Sequence, residues 1–131
     1  MNTKSASVIL GLVFIAVGIL GFVSNPIIGE SPNAIFHADT THNAVHIASG
    51  VLFLIFGLAI PNSAASFLKV FGIIYLLLGV LGLISIGTTG MGKLLGVLHV
   101  NGADNILHIV LGIVIFLAGS IPPKPKVATY R

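Results

Sequence analysis

The sequence predicts an all-α, polytopic membrane protein: a four-helix transmembrane bundle made of two tandem two-helix repeats, with a pseudo-twofold axis along the membrane normal. Three observations carry this prediction. Apolar side chains make up 56% of the 131 residues and charged ones only 7%, against about 25% charged in soluble domains, and the mean hydropathy is +1.12. Four stretches suit the bilayer. The second half of the chain repeats the first at a shift of 61 or 62 residues.

A hydrocarbon core about 30 Å thick needs roughly 20 apolar residues at about 1.5 Å rise each. The expected spans are 5–24, 42–60, 67–86 and 104–121, in a single transmembrane domain whose halves run 5–61 and 66–123. The first opens after Lys4 and carries no charge from Ser5 to Val23. It is expected to be a span rather than a signal peptide, because Phe22 stands two residues before Ser24, where a small residue is expected for cleavage. The second and fourth, apolar from Ala44 and from Ile106, are short, and polar residues before each sit at headgroup depth. Asn25-Pro26, Pro61-Asn62-Ser63, Gly87 to Gly92 and Pro122-Pro123 punctuate the ends.

Lys4, Lys69, Lys124, Lys126 and Arg131 fall on one side of this topology and Lys93 on the other. By the positive-inside rule both termini are cytoplasmic. The outer loops, roughly 24–41 and 87–103, hold Glu30, His37, Asp39 and His99. The basic residues are scattered, so nucleic acid is not an expected partner despite the net charge of +3. Cysteine is absent, which removes disulfides, thiolate metal sites and cysteine nucleophiles. Short loops leave no soluble domain to take a soluble substrate.

In the repeat, Gly11, Gly18 and Gly21 superpose on Gly72, Gly79 and Gly82. Further on, Asn43, His46, Gly50, Gly57 and Pro61 superpose on Asn105, His108, Gly112, Gly119 and Pro123. The same register pairs His37 with His99, Asp39 with Asn101 and His42 with Asp104. Two spans return the chain to its starting side, so the copies run the same way and matched residues share one depth. Lipid gives little hydrophobic drive between helices, so Gly11, Gly18, Gly50, Gly57, Gly72, Gly79, Gly112 and Gly119 are expected to pack helices through close backbone approach. Spare glycine faces would serve a homo-oligomer.

All five histidines and all three acids lie on the expected outer side. At 100° per residue, His42 and Gly50 fall within about 40° of His46, and the fourth span repeats the stripe with Asp104, His108 and Gly112. Because glycine stripes face other helices, the imidazoles point into the bundle, where each polar atom must find a partner. Asp39 and Asn101 are placed to cap the helices that follow them. Asn43, Asn105, His46 and His108 are expected either to hydrogen-bond between the halves or to form a site. As a site, His42, His46, Asp104 and His108 supply three imidazoles and a carboxylate for a divalent transition metal, with Asn43 and Asn105 behind them. Alternatively His46 and His108 are axial ligands of haem b. Imidazoles at this depth could also handle protons.

Enzyme signatures are missing. "HNAVH" has Asn43 where a zincin carries glutamate, and Ser49, one turn below His46, lacks an orienting acid and a nucleophile elbow. A Gly-rich first span, an N-x-x-H pair opening the second, "YLLLGVLG" in the third and "DNILHIVLG" opening the fourth resemble the bacterial membrane proteins grouped as domain of unknown function 4383. The similarity covers about residues 5–121 and is most specific at Asp104, Asn105, Leu107, His108 and Gly112, with Asn43, His46 and Gly50 as the earlier counterpart. It implies a four-span protein of the bacterial inner membrane and supplies no activity or cofactor. The sequence therefore favours a non-enzymatic structural or partner-interacting membrane protein. A metal or haem binder is the alternative, and a small transporter or channel subunit the second alternative.

Overall fold

In a computed structural model, which describes residues 1–125, 127 and 128, four α-helices dominate the chain: α1 (Thr3–Leu20), α2 (Thr40–Leu58), α3 (Ala64–Ser85) and α4 (Gly102–Gly119). Each is long and apolar enough to cross a membrane, and 18 residues rise about 27 Å, close to the hydrocarbon thickness. Large apolar side chains cover the outside, among them Leu12, Ile84 and Leu117, each more than half exposed. In water such a surface would aggregate; in acyl chains it is solvated. Lys126 and Arg131, which the charge asymmetry counts at the inner end, lie outside the described residues.

Polar side chains set the helix ends. Asn2 caps α1, accepting from the Ser5 N–H at 2.8 Å. α1 stops at Leu20, four residues before the end of the expected span, and Asn25 holds the exit turn. Its Nδ2 donates to the Leu20 and Ile28 carbonyls, both at 2.9 Å, while its Oδ1 accepts from Ile27 and Ile28. α2 starts at Thr40 because Asp39 accepts from the His42 N–H at 2.9 Å. α4 starts at Gly102 behind a reciprocal cap: Asn101 accepts from Asp104 N–H at 2.9 Å and Asp104 from Asn101 N–H at 2.8 Å. Between α2 and α3 the chain makes only a 3₁₀ turn, Pro61–Ser63.

The loops after α1 and α3 contain short strands. β1 (Ile28–Gly29) pairs in parallel with β2 (Phe36–His37), and β3 (Met91–Leu94) pairs antiparallel with β4 (Leu98–Asn101) in a hairpin. Ile28, Leu94 and Val100 turn inward and are buried, so the strands form a lid over the end of the bundle away from the termini.

Inside the bundle, α1 packs on α2 and α3 on α4 far more closely than any helix packs across the pairs. Glycine makes that possible. A methyl group on Gly11 would lie 2.8 Å from the Gly50 carbonyl oxygen and one on Gly50 2.7 Å from that of Gly11. Gly72 and Gly112 stand in the same relation, each 2.7 Å from the other's carbonyl oxygen. Gly18 and Gly79 lie against the backbones of Asn43 and Asn105, Gly57 against that of Lys4, and Gly119 against that of Ala65. All eight of these glycines are thus occupied within the chain and provide no spare face. Between the pairs, Phe14, Phe53, Leu68, Tyr75 and Ile115 fill the centre, with Phe14 5.1 Å from Phe53 and 5.3 Å from Tyr75 between ring centroids.

Because backbone atoms face Gly72 from both Gly112 and Phe116, the neighbours cannot yield to a side chain. Gly72→Ala is expected to cost about 1–3 kcal/mol, seen as a lower thermal unfolding midpoint in detergent; an unchanged midpoint would show that α3 and α4 are not this close.

Candidate metal centre

Directly above the aromatic core, α2 and α4 bring His42, His46 and His108 together. One ring nitrogen from each lies within 4.8 Å of those of the other two, and all three side chains are buried. His42 stands on the turn above His46, so their ring centroids are 4.5 Å apart; His108 reaches across from α4, 5.6 Å from His42 and 6.4 Å from His46. Phe14 meets the edge of His46 at 5.8 Å and Tyr75 that of His108 at 5.5 Å, closing the site from below.

The hydrogen-bond accounting is uneven. His42 Nδ1 lies 2.7 Å from the His99 carbonyl oxygen. A carbonyl only accepts, so Nδ1 carries the proton and Nε2 keeps its lone pair. The Nδ1 atoms of His46 and His108 are buried with no partner at all. Asn43 and Asn105 do not bridge the halves as expected: their side chains pack on Gly21 and Gly82 of the neighbouring helix, and Asn105 Nδ2 donates to the Gly87 carbonyl at 3.1 Å. The Oδ1 atom of each is left without a partner.

Asp104 does not join the three imidazoles. Its Oδ2 accepts from the backbone N–H of Asn101 and, at 2.9 Å, from that of His37 in the other half of the chain. The carboxylate therefore fastens the lid and caps α4, while standing beside the site as part of the wall that His46 and His108 also line. Further bonds join the halves in the same outer layer. Asn101 Nδ2 donates to the Ile35 carbonyl at 2.9 Å, and His37 Nε2 and His99 Nδ1 share a proton at 3.0 Å. His37 and His99 are thus a pair in the lid rather than members of the site.

Two cavities flank the imidazoles. One, about 240 Å³, lies between α1 and α4, with His46, His108, Phe14 and Leu111 in its wall. The other, about 250 Å³, lies between α2 and α3, and all three histidines face it together with Ser49 and Tyr75. Tyr75 is the site residue that helical spacing and the repeat do not single out. Its signal in the sequence is a hydroxyl in the middle of an otherwise apolar span, which has to find a polar neighbour; Ser49 is that neighbour.

The two expected cofactors place different demands on this donor set. Three imidazoles with free lone pairs and an opening beside them suit a first-row divalent ion. Haem does not fit: between axial His46 and His108 the macrocycle would need the space that the His42 ring fills, 4.5 and 5.6 Å from theirs.

Four lipid-compatible helices around a buried polar centre define a multi-pass membrane protein. More particularly, the chain belongs to the family described as Domain of unknown function (DUF4383), which matches residues 4–121. No curated protein and no solved structure matches it.

Burial first and the nearby His99 second push the His37 pKa below its ordinary value; Asp39 and Glu30 oppose them, and His42 adds the smallest downward push. The unfolded chain then binds more protons than the folded one between that lowered value and about 6.5, so stability falls as pH drops through this window and is fully restored above it. Thermal midpoints at pH 5 and 7.5 are expected to differ less in His37→Gln than in the parent; equal differences would remove His37 from the pH response.

Proposed function

We propose that this chain is a metal-binding protein of the bacterial inner membrane, in which His42, His46 and His108 hold one divalent transition ion, zinc foremost, in the outer half of the bilayer. The observation that carries this reading is the pair of orphaned imidazole nitrogens. Histidines serving only to glue the halves together would be hydrogen-bonded, since a buried polar atom without a partner costs about 1–3 kcal/mol and lipid offers no water to relieve it. His46 and His108 are unpartnered at Nδ1, and the third imidazole beside them is locked with a lone pair free.

The His42 Nδ1 bond to the His99 carbonyl is the kind of outer contact that orients a metal-bound imidazole and fixes its tautomer. Nitrogens bound to zinc at about 2.0–2.1 Å stand roughly 3.4 Å apart, so rings now within 4.8 Å would draw in on the ion.

The bundle is read as two tandem copies about an axis along the membrane normal. Contacts between repeat mates support this: His37 with His99, His46 with His108 and Phe14 with Tyr75 all meet at the centre, where a twofold axis would bring matched residues together. Gly11 on Gly50 and Gly72 on Gly112 likewise make the same contact in each half. With Lys4, Lys69 and Lys124 inside and Lys93 outside, both termini are cytoplasmic, and the metal lies towards the outer surface.

Purified protein stripped with chelator and titrated with Zn²⁺ or Co²⁺ is expected to bind one ion per chain. His46→Ala and His108→Ala are expected to weaken binding by on the order of a hundredfold or more, since losing even an outer contact costs about 10–100-fold. Less than stoichiometric binding in the parent, or full-strength binding by both variants, would reject the reading.

A further inference from the structure

Resting on the metal reading, we propose that the cavity between α2 and α3 admits a fatty carboxylate from the bilayer, whose headgroup takes the open position on the ion. Three protein ligands leave a tetrahedral ion with one free site, the arrangement of reactive rather than purely structural centres. The cavity of about 250 Å³ between α2 and α3 is where that site can be reached, because it alone of the two flanking cavities is faced by all three histidines.

The two cavities correspond under the repeat register, in which Phe14 matches Tyr75 and Leu111 matches Ser49. The two linings depart from the copy in polar groups at three positions, one of them His42 in the α2–α3 cavity against Asp104 in the other. Phe14 and Leu111 line the α1–α4 cavity, whereas Tyr75 and Ser49 bring two hydroxyls into the α2–α3 cavity. The α2–α3 cavity therefore carries two hydroxyl donors beside the histidines, where its counterpart has phenyl and leucine side chains and, further out, the Asp104 carboxylate that the lid backbone already holds. Ser49 and Tyr75 face each other, and of their two O–H groups only one is used in that contact, so the other is left to donate to a second oxygen next to the metal-bound one.

Charge selects the ligand. Three neutral imidazoles leave a divalent ion with both its charges, and the buried Asp104 carboxylate nearby offsets one. A monoanion makes the assembly neutral, which the bilayer favours strongly. The remaining walls are apolar, and Val45 and Ile74 at their edge are 37% and 45% exposed on the lipid side. An acyl chain leaves by that opening, and the carboxylate's two oxygens face the ion and the Ser49 and Tyr75 hydroxyls. Hydroxide, the smallest monoanion, would use neither the apolar walls nor the opening.

The test uses the full chain in phosphatidylcholine nanodiscs, loaded with one Co²⁺ and titrated with laurate while the visible cobalt bands are recorded. Laurate is expected to shift the bands and to saturate at one per chain. Ile74→Trp, which fills the α2–α3 cavity, is expected to abolish the shift with cobalt still bound; Val13→Trp, on the α1–α4 side, is expected to keep it. The milder Tyr75→Phe should weaken laurate by on the order of tenfold, as expected for a lost hydrogen bond to a charged group. Stoichiometric cobalt whose spectrum ignores laurate would overturn the inference and leave the metal reading standing, as would a response lost in Val13→Trp and kept in Ile74→Trp. Failure to take up cobalt would overturn both.

Discussion

A polar atom inside a bilayer has no water to fall back on, and the arrangement of this protein follows from that constraint. Backbone groups are settled by making four helices and capping three of them, α1, α2 and α4, with Asn2, Asp39 and Asn101. Many polar side chains are settled in the layer of the lid, where Asn25, Asp104, Asn101, His37 and His99 bond to backbone or to one another. Among the described residues, what is left over is the Nδ1 atoms of His37, His46 and His108 and the Oδ1 atoms of Asn43 and Asn105, and two of those imidazoles stand within reach of a third.

Glycine is what allows such a centre to exist in so short a chain. Backbone contact at Gly11–Gly50 and Gly72–Gly112 draws each helix pair tight, while the looser seams between pairs are left for side chains. Phe14, Phe53 and Tyr75 fill those seams at mid-depth, and the imidazoles fill them above. The same looseness produces the two lateral cavities, so packing strength within pairs and access between pairs have a common origin. The lid of short strands then closes the centre from the aqueous side, with Leu94 and Val100 buried beneath it.

Much of this is legible in the order of residues alone. Apolar length announces the helices, and the rare residue types that recur at a shift of 61 or 62 point to His46 and His108 as a pair and to glycine as the packing element. Helical spacing puts His42 on the same face as His46. Other features depend on contacts that no spacing encodes. Spacing makes Asp104 a ligand beside the imidazoles, yet its position three residues after Asn101 also completes a reciprocal cap, and the cap together with the His37 N–H claims its Oδ2. Asn43 and Asn105, which coincide at a shift of 62 and are expected to bridge the halves or to back a site, lie instead on the glycines of their own pair, because Gly21 and Gly82 leave room there. The strands of the lid are two to four residues long, too short to give a period.

The central claim, three imidazoles on one ion, is open to direct inspection by X-ray absorption at the zinc edge of the loaded protein in lipid. The account predicts three imidazole nitrogens at about 2.0–2.1 Å, with the outer-ring scattering that marks histidine, and one further light atom. A first shell made of oxygens, or one holding fewer than three imidazoles, would contradict it.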